Sequence, residues 1–393
     1  MSTSLFQGVS SSTNLSNQRT MESAATPLSC KICGLENFDS RNKLFKHVKI
    51  CTSTLSQAQI LSSVDAHEDP TNKFIYVTGG RCRGRTLGSV ERYSLSLKRW
   101  EPCTHMMENR GSHGAAAIDN RLYVFGGGGF RSNLATCEMF DSKLQVWKPV
   151  APLKTFRHAL VVFSMEVSYD FFYHKQSFIN VTDIHRNSLI GEKPMSLIFA
   201  IGGWYDGSVC SGDVEVYDYL TDTWVACASL AVPRRLLGAC AYKNELYVFG
   251  GNCDDGVWFT AAVECYSLAT NTWSRKKDLN FPGPTSAVTI GDYIYVILHG
   301  KRIMRYCPQS DAYTDLAELP LVEWFCFDVT VFGCLVYVHG GVSQGDSSKA
   351  FFSYDIRTDK WEELPQMLFP RRRCAAAIMT AELLVTPPMA VDI

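Results

Sequence analysis

LIFAIGG at 197–203 and VEVYDYLTDTW at 214–224 hold one unit of this 393-residue chain. A short apolar run closes on two glycines, a loop follows, and an aromatic residue sits seven positions before a tryptophan. The same spacing returns at Tyr93 and Trp100, Phe140 and Trp147, Tyr217 and Trp224, Tyr266 and Trp273, Tyr306 and Tyr313, and Tyr354 and Trp361. Glycine pairs keep step at Gly79-Gly80, Gly126-Gly127, Gly202-Gly203, Gly250-Gly251 and Gly340-Gly341, with His299-Gly300 in the fifth place. Successive pairs lie 47, 76, 48, 49 and 41 residues apart, a period that belongs to propeller blades or solenoid turns. Alternating apolar runs such as RLYVFGG and ELYVFGG make the units strands rather than helix pairs. Four copies also carry a glutamate two residues before the first aromatic, at Glu91, Glu138, Glu215 and Glu264.

Each residue type has a task in such a unit. Glycine adopts the positive φ of a tight exit from a strand without a Cβ clash. The spaced aromatics are large enough to fill the gap between adjacent sheets. Runs of small residues, Gly114-Ala115-Ala116-Ala117-Ile118 and Gly238-Ala239-Cys240-Ala241-Tyr242, precede the strong strands and suit the crowded innermost position of a blade. No such run precedes the first copy, whereas Cys374-Ala375-Ala376-Ala377-Ile378 follows the last tryptophan. The C-terminal segment is therefore expected to supply the inner strand of the first blade, closing the ring and removing its open edges.

The double glycine after a strand, the paired aromatics and the period of about 47 residues resemble the kelch repeat. The expected fold is all-β, a six-bladed β-propeller closed by its C-terminal strand and preceded by a small ββα-type zinc finger. The expected division is a disordered tail at 1–29, the finger at 30–51, a polar linker at 52–73, the propeller at 74–385 with an insertion at about 164–195, and a tail at 386–393.

The finger reading rests on CKICGLENFDSRNKLFKHVKIC at 30–51. Cys30 and Cys33 bracket two residues, and His47 and Cys51 follow four apart on one face of an expected helix. Four such ligands match a tetrahedral structural zinc site with no open position for catalysis. The segment resembles a C2H2 finger with cysteine as its last ligand. Arg41, Lys43, Lys46 and Lys49 give the helix a basic face, so a nucleic-acid-associated role is the alternative reading, although one finger contacts only about three base pairs.

Net charge is −1, so no global field draws the chain to nucleic acid or membrane. No apolar run is long enough to span a bilayer and no signal pattern opens the chain. The expected setting is cytoplasmic or nuclear. Of the 15 cysteines, those in the repeats have apolar neighbours and read as buried thiols.

Function is expected in the loops. Arginines recur at the entrances to inner strands, at Arg110, Arg157, Arg234-Arg235 and Arg371-Arg372-Arg373, and loops after the glycine pairs add Arg81, Arg83, Arg85 and Arg131. In BTB-kelch proteins, arginines at corresponding positions line a pocket for acidic peptide segments, although no BTB or F-box segment is recognisable here. The resemblance implies a non-enzymatic module that binds another protein through Arg81, Arg110, Arg131, Arg157, Arg235 and Arg372. The competing reading of the same arginines is solvated charge or structural pairing with Glu and Asp. The fifth copy, with its short loop, is expected to leave a notch in that face. A kelch-type metal oxidase or specifier enzyme is the weaker alternative, since no Glu-x3-Asp-x3-His spacing, nucleophile elbow or phosphate loop occurs.

Overall fold

The computed structural model describes residues 70–129, 132–167, 195–205, 209–253, 258–321 and 323–381. The candidate zinc ligands Cys30, Cys33, His47 and Cys51, and Arg131, lie outside the described residues.

Six antiparallel sheets, each a path of four strands, make the blades of one propeller. The second blade shows the plan: Gly114–Ile118 innermost, then Arg121–Phe125, Cys137–Asp141 and Val146–Val150 at the rim. The first blade is completed by the end of the chain, because Ala375–Thr380 pairs with Lys73–Thr78 from Lys73 opposite Thr380 to Thr78 opposite Ala375. The C-terminal strand thus closes the ring.

The constant seven-residue spacing has a simple origin. In every blade its two aromatics are directly opposite each other across the outer hairpin, from Tyr93 opposite Trp100 to Tyr354 opposite Trp361. Their ring centroids are 4.9–5.2 Å apart, and cross-strand pairs of this kind add roughly 0.2–1 kcal/mol each to a sheet. The indoles also tie blades together. Nε1–H of Trp100, Trp147, Trp224 and Trp273 donates to the carbonyl of Pro365, Thr104, Ala151 and Ala228 in the preceding connection. Tyr313 keeps that role in the fifth blade through its hydroxyl, which donates to Lys277 O.

The core is not inside a blade but between blades. One cluster joins Tyr123 and Phe125 of the second blade to Ile198, Tyr217 and Trp224 of the third, and every other seam has its own.

The glycine pairs do more than turn. A Cβ on Gly79 would lie 2.3 Å from Arg110 O in the next blade, and one on Gly126 would lie 2.7 Å from Arg157 O. The second glycine, at φ near +100° in Gly80, donates its N–H to the same carbonyl. Close approach between neighbouring backbones is thus as strong a demand for glycine as the positive φ. His299, in the fifth place, keeps a negative φ and leaves the turn to Gly300.

The insertion is narrower than its sequence bounds. Val161–Val167 pairs with Met195–Ile201 over their full length, so residues 164–167 and 195 belong to the blade. The described pair ends with Val167 opposite Met195, six residues from Val161 opposite Ile201.

Candidate functional site

The inner strands enclose a channel whose cavity is about 650 Å3. At its mouth the backbone makes a chain of hydrogen bonds from blade to blade. The N–H groups of Ser112, Ala159, Leu236 and Thr285 donate to the carbonyls of Arg373, Ser112, Ala159 and Leu236, and Arg373 N–H donates to Cys326 O. The fifth-to-sixth seam breaks the pattern: Cys326 N–H donates to Nδ1 of His299 at 3.3 Å. Ser112, Ala159, Leu236, Cys326 and Arg373 all take φ of 52–57° to do this, and that twist sets which way the preceding residues point.

Two positions before each of these sits a fully buried side chain. In blades 1 to 4 it is an arginine: Arg371, Arg110, Arg157 and Arg234, all at 0 % exposure. Arg110 donates through Nη1 to Gly126 O and Thr136 O, both at 2.8 Å, and its Nη2 meets Glu138 at 2.5 Å. Arg157 repeats this with Gly202 O, Asp213 O and Glu215, the ion pair at 2.6 Å. Arg234 uses Gly250 O, Ala262 O and Glu264, and Arg371 uses Gly79 O, Ser89 O and Glu91, the last at 2.8 Å. The glutamates accept backbone N–H groups in turn, as Glu138 does from Met107 and Glu108. A guanidinium has the donors to satisfy two carbonyls and a carboxylate at once, and a buried one needs all three.

This corrects two residues expected to bind a partner. Arg110 and Arg157 are spent inside the protein, holding their own blade's glycine-pair turn, and present no guanidinium to a ligand. Glu91, Glu138, Glu215 and Glu264 are the glutamates that precede the first aromatic of the same four copies. That coincidence of arginine and glutamate in four copies, and of neither in the other two, was the available signal for a buried pair.

Blade 6 meets the same demand without charge. In the sixth, Trp324 stands in the arginine's place and its Nε1–H donates to Gly340 O at 2.7 Å. Phe352 replaces the glutamate, its ring 5.5 Å from that of Trp324. The fifth blade has Gly283 and Met304 in the two places.

One and two residues beyond the clamp, the side chains turn outward. Arg81 and Arg372 exchange two backbone hydrogen bonds, Arg81 N–H to Arg372 O at 2.8 Å and Arg372 N–H to Arg81 O at 3.0 Å. Arg373, one of the recurring entrance arginines but not among the expected binding residues, follows. The Arg81 side chain lies flat over two glycines: a Cβ on Gly111 would be 2.8 Å from its Cγ, and one on Gly128 2.8 Å from its Nη2. Among the described residues none of Arg81, Arg372 and Arg373 pairs with a carboxylate, and all three are half-buried. Burial, with Arg373 and Arg372 close by, holds the Arg81 guanidinium below its usual basicity. An anion would relieve that repulsion. Arg235 stands apart in the fourth blade, its guanidinium 3.3 Å from the ring centroid of Trp204.

The buried titratable groups nearby are structural in their surroundings. His113 hydrogen-bonds Thr78 through Nε2 at 2.8 Å; burial, then Arg110 and Arg371, hold it neutral. Burial pushes His299 and His339 down to about 3. Asp328 lines the channel, accepts Ala376 N–H at 2.7 Å across the closing seam, and is pushed up to about 7 by burial. Among the described residues no group of three or more His, Cys, Asp or Glu side chains is placed to hold a metal ion, no helix is long and apolar enough to cross a membrane, and the cysteines are free thiols.

The chain matches the Kelch motif family at residues 75–107, 109–154, 196–231, 233–280 and 324–368, together more than half of its length. It is similar to Kelch-like protein 35 of Mus musculus, 30 % identical over 301 residues that cover 73 % of this chain and 44 % of that protein. Similarity to Kelch-like protein 38 is 27 % over 313 residues in Rattus norvegicus, covering 75 % of this chain and 48 % of the relative. In Homo sapiens it is 24 % over 335 residues, covering 81 % and 52 %. The chain therefore spans about half the length of the relatives it matches.

Proposed function

The chain belongs to the kelch-repeat family, and on that premise we propose that its propeller is a protein-binding module that takes an acidic segment of a partner on the face where glycine-pair loops and inner-strand entrances meet. The observation that carries this reading is the contrast between two sets of arginines on one face. Four are neutralised by buried glutamates, whereas Arg81, Arg372 and Arg373 are clustered, half-buried and without a carboxylate among the described residues. Arginine's planar fork binds carboxylates in a bidentate manner.

The test is affinity capture with mass spectrometry, comparing the full chain with an Arg372→Glu, Arg373→Glu double variant. Both side chains lie outside the buried clamp, so the fold should survive, as a melting curve will check. Partners that depend on the face should be lost at least tenfold from the double variant and should carry acidic segments. A captured set unchanged by the double variant moves the binding site elsewhere.

We further propose that Cys30, Cys33, His47 and Cys51 hold one structural zinc, an accessory to the propeller. Support comes from ligand spacing alone. Elemental analysis should find about one zinc per chain, lost when Cys30 and Cys33 become serine; a preparation folded at 30–51 without metal would end this reading.

A further inference from the structure

Two blades round the ring from the arginine cluster, the same face changes character. Three residues, 299–301, join Tyr293–Leu298 to Arg302–Cys307 in the fifth blade, where eleven to thirteen residues make the corresponding loops of blades 1 to 4. Around this short turn stand exposed aromatic side chains: Trp258 at 77 %, Phe259 at 42 %, Phe281 at 38 % and Phe325 at 40 % exposure. They form one arc. Gly283 N–H donates to Thr260 O, which ties the loop carrying Trp258 and Phe259 to the connection carrying Phe281. Lys301 Nζ is 4.5 Å from the Phe281 ring centroid. Phe325 lies on the turn itself, so close that a Cβ on Gly300 would come within 2.4 Å of its ring. Phe259 and Phe325 also line the channel mouth.

Nothing in the fold requires these rings to face water. The interior of this sector is already packed, with Trp324 and Phe352 filling the place of the buried ion pair. Aromatic side chains left exposed side by side mark interaction sites, and they supply most of the energy in interface centres. Blade 5 adds a geometric element, since the flanking loops are long and its own is three residues. The result is an exposed aromatic surface beside the three-residue turn, in which the Phe325 ring covers Gly300 and Lys301 stands against Phe281. An aromatic surface of this kind receives a large apolar side chain of an extended segment, and Lys301 beside it favours acidic neighbours of that side chain.

We propose that this aromatic surface takes an aromatic or long aliphatic side chain of the same extended segment whose acidic residues meet Arg81, Arg372 and Arg373, so that the partner is read at two points on the channel mouth. This rests on the binding reading above and adds an apolar anchor to it.

The probe is a phage-displayed library of random dodecapeptides selected on the purified full chain. Four proteins are compared: the wild type, Phe281→Ser with Phe325→Ser, Trp258→Ser, and Arg372→Glu with Arg373→Glu. The expected outcome is a wild-type consensus with acidic residues and one large apolar residue at a fixed spacing. Synthetic consensus peptide should bind the phenylalanine variant at least tenfold more weakly, and replacing its apolar residue by serine should cost the wild type the same factor and the phenylalanine variant nothing. If the double phenylalanine variant melts early, Trp258→Ser carries the same comparison, because its indole is almost wholly in solvent. An acidic consensus without an apolar position, indifferent to both aromatic variants, overturns the anchor and leaves the acidic site standing. A consensus that survives the arginine variant overturns both.

Discussion

In blades 1 to 4 a buried arginine holds the glycine-pair turn and a buried glutamate neutralises it, while in blade 6 a single indole N–H makes the corresponding bond and in blade 5 a glycine stands in the arginine's place. The sheets on either side keep the same strand order and the same paired aromatics. What blades 1 to 4 and blade 6 share, then, is a donor for a carbonyl of the turn, and a buried carbonyl without one costs about 1–3 kcal/mol. A charge is one way to bring that donor in, and it obliges the blade to bury a counter-charge.

The comparison can be broken most sharply in the fourth blade. Arg234→Met strands Glu264 and the carbonyls of Gly250 and Ala262 and is expected to cost about 3–5 kcal/mol in urea unfolding. Arg234→Trp with Glu264→Phe, which imports the sixth blade's chemistry, should restore most of that loss. A double variant no more stable than the single one would mean that the two interiors are not interchangeable.

The next effect concerns the neutral histidines on the uncharged side. Burial holds His299 at about 3, well below its unfolded value, so the folded state resists a proton that the unfolded chain accepts. Stability from this source is complete above about pH 6.5 and falls as pH drops towards 3, by about 1.4 kcal/mol per pH unit for each such histidine. Asp328, raised to about 7, acts with opposite sign and loses stability as pH rises through the range above 4. His299→Gln should therefore flatten the acid limb of a pH series of melting curves by one histidine's share; an unchanged limb would show that His299 already protonates in the fold.

The smallest effect separates two tryptophans. Trp224 donates its indole N–H to Ala151 O at 2.9 Å, whereas Nε1 of Trp361 has no acceptor among the described residues. Trp224→Phe should cost about 1 kcal/mol more than Trp361→Phe in the same assay, and equal costs would assign the tryptophans to packing alone.

Much of the scaffold was legible because its signals are local. A hairpin fixes which residues face each other, so Tyr217 and Trp224 could be paired from spacing, and the surplus inner strand at 374–378 could only belong to the blade that lacked one. The candidate site was legible only in part. Arg81 and Arg372 were recognised and stand on the face, Arg110 and Arg157 were recognised and are buried, Arg373 was seen among the recurring arginines but not set among the binding residues, and Phe281 and Phe325 carried no signal that distinguished them from other loop residues. The insertion showed as an interruption but not as a hairpin extension, since strand pairing from 164 to 167 depends on partners some thirty residues away.

The sequence alone determined the number of blades, the strand that closes them and the blade that departs from the rest, because all three follow from repetition and near-neighbour register. Only the tertiary structure decided which of two or three consecutive arginines is inside. The backbone twist at Arg373 and its counterparts turns successive side chains from the blade's interior to its face, and the partner that neutralises the inner one arrives from 28 residues away in the second blade and 280 in the first. Adjacent letters of the same type thereby acquire opposite roles, a distinction made by contacts that no local pattern contains.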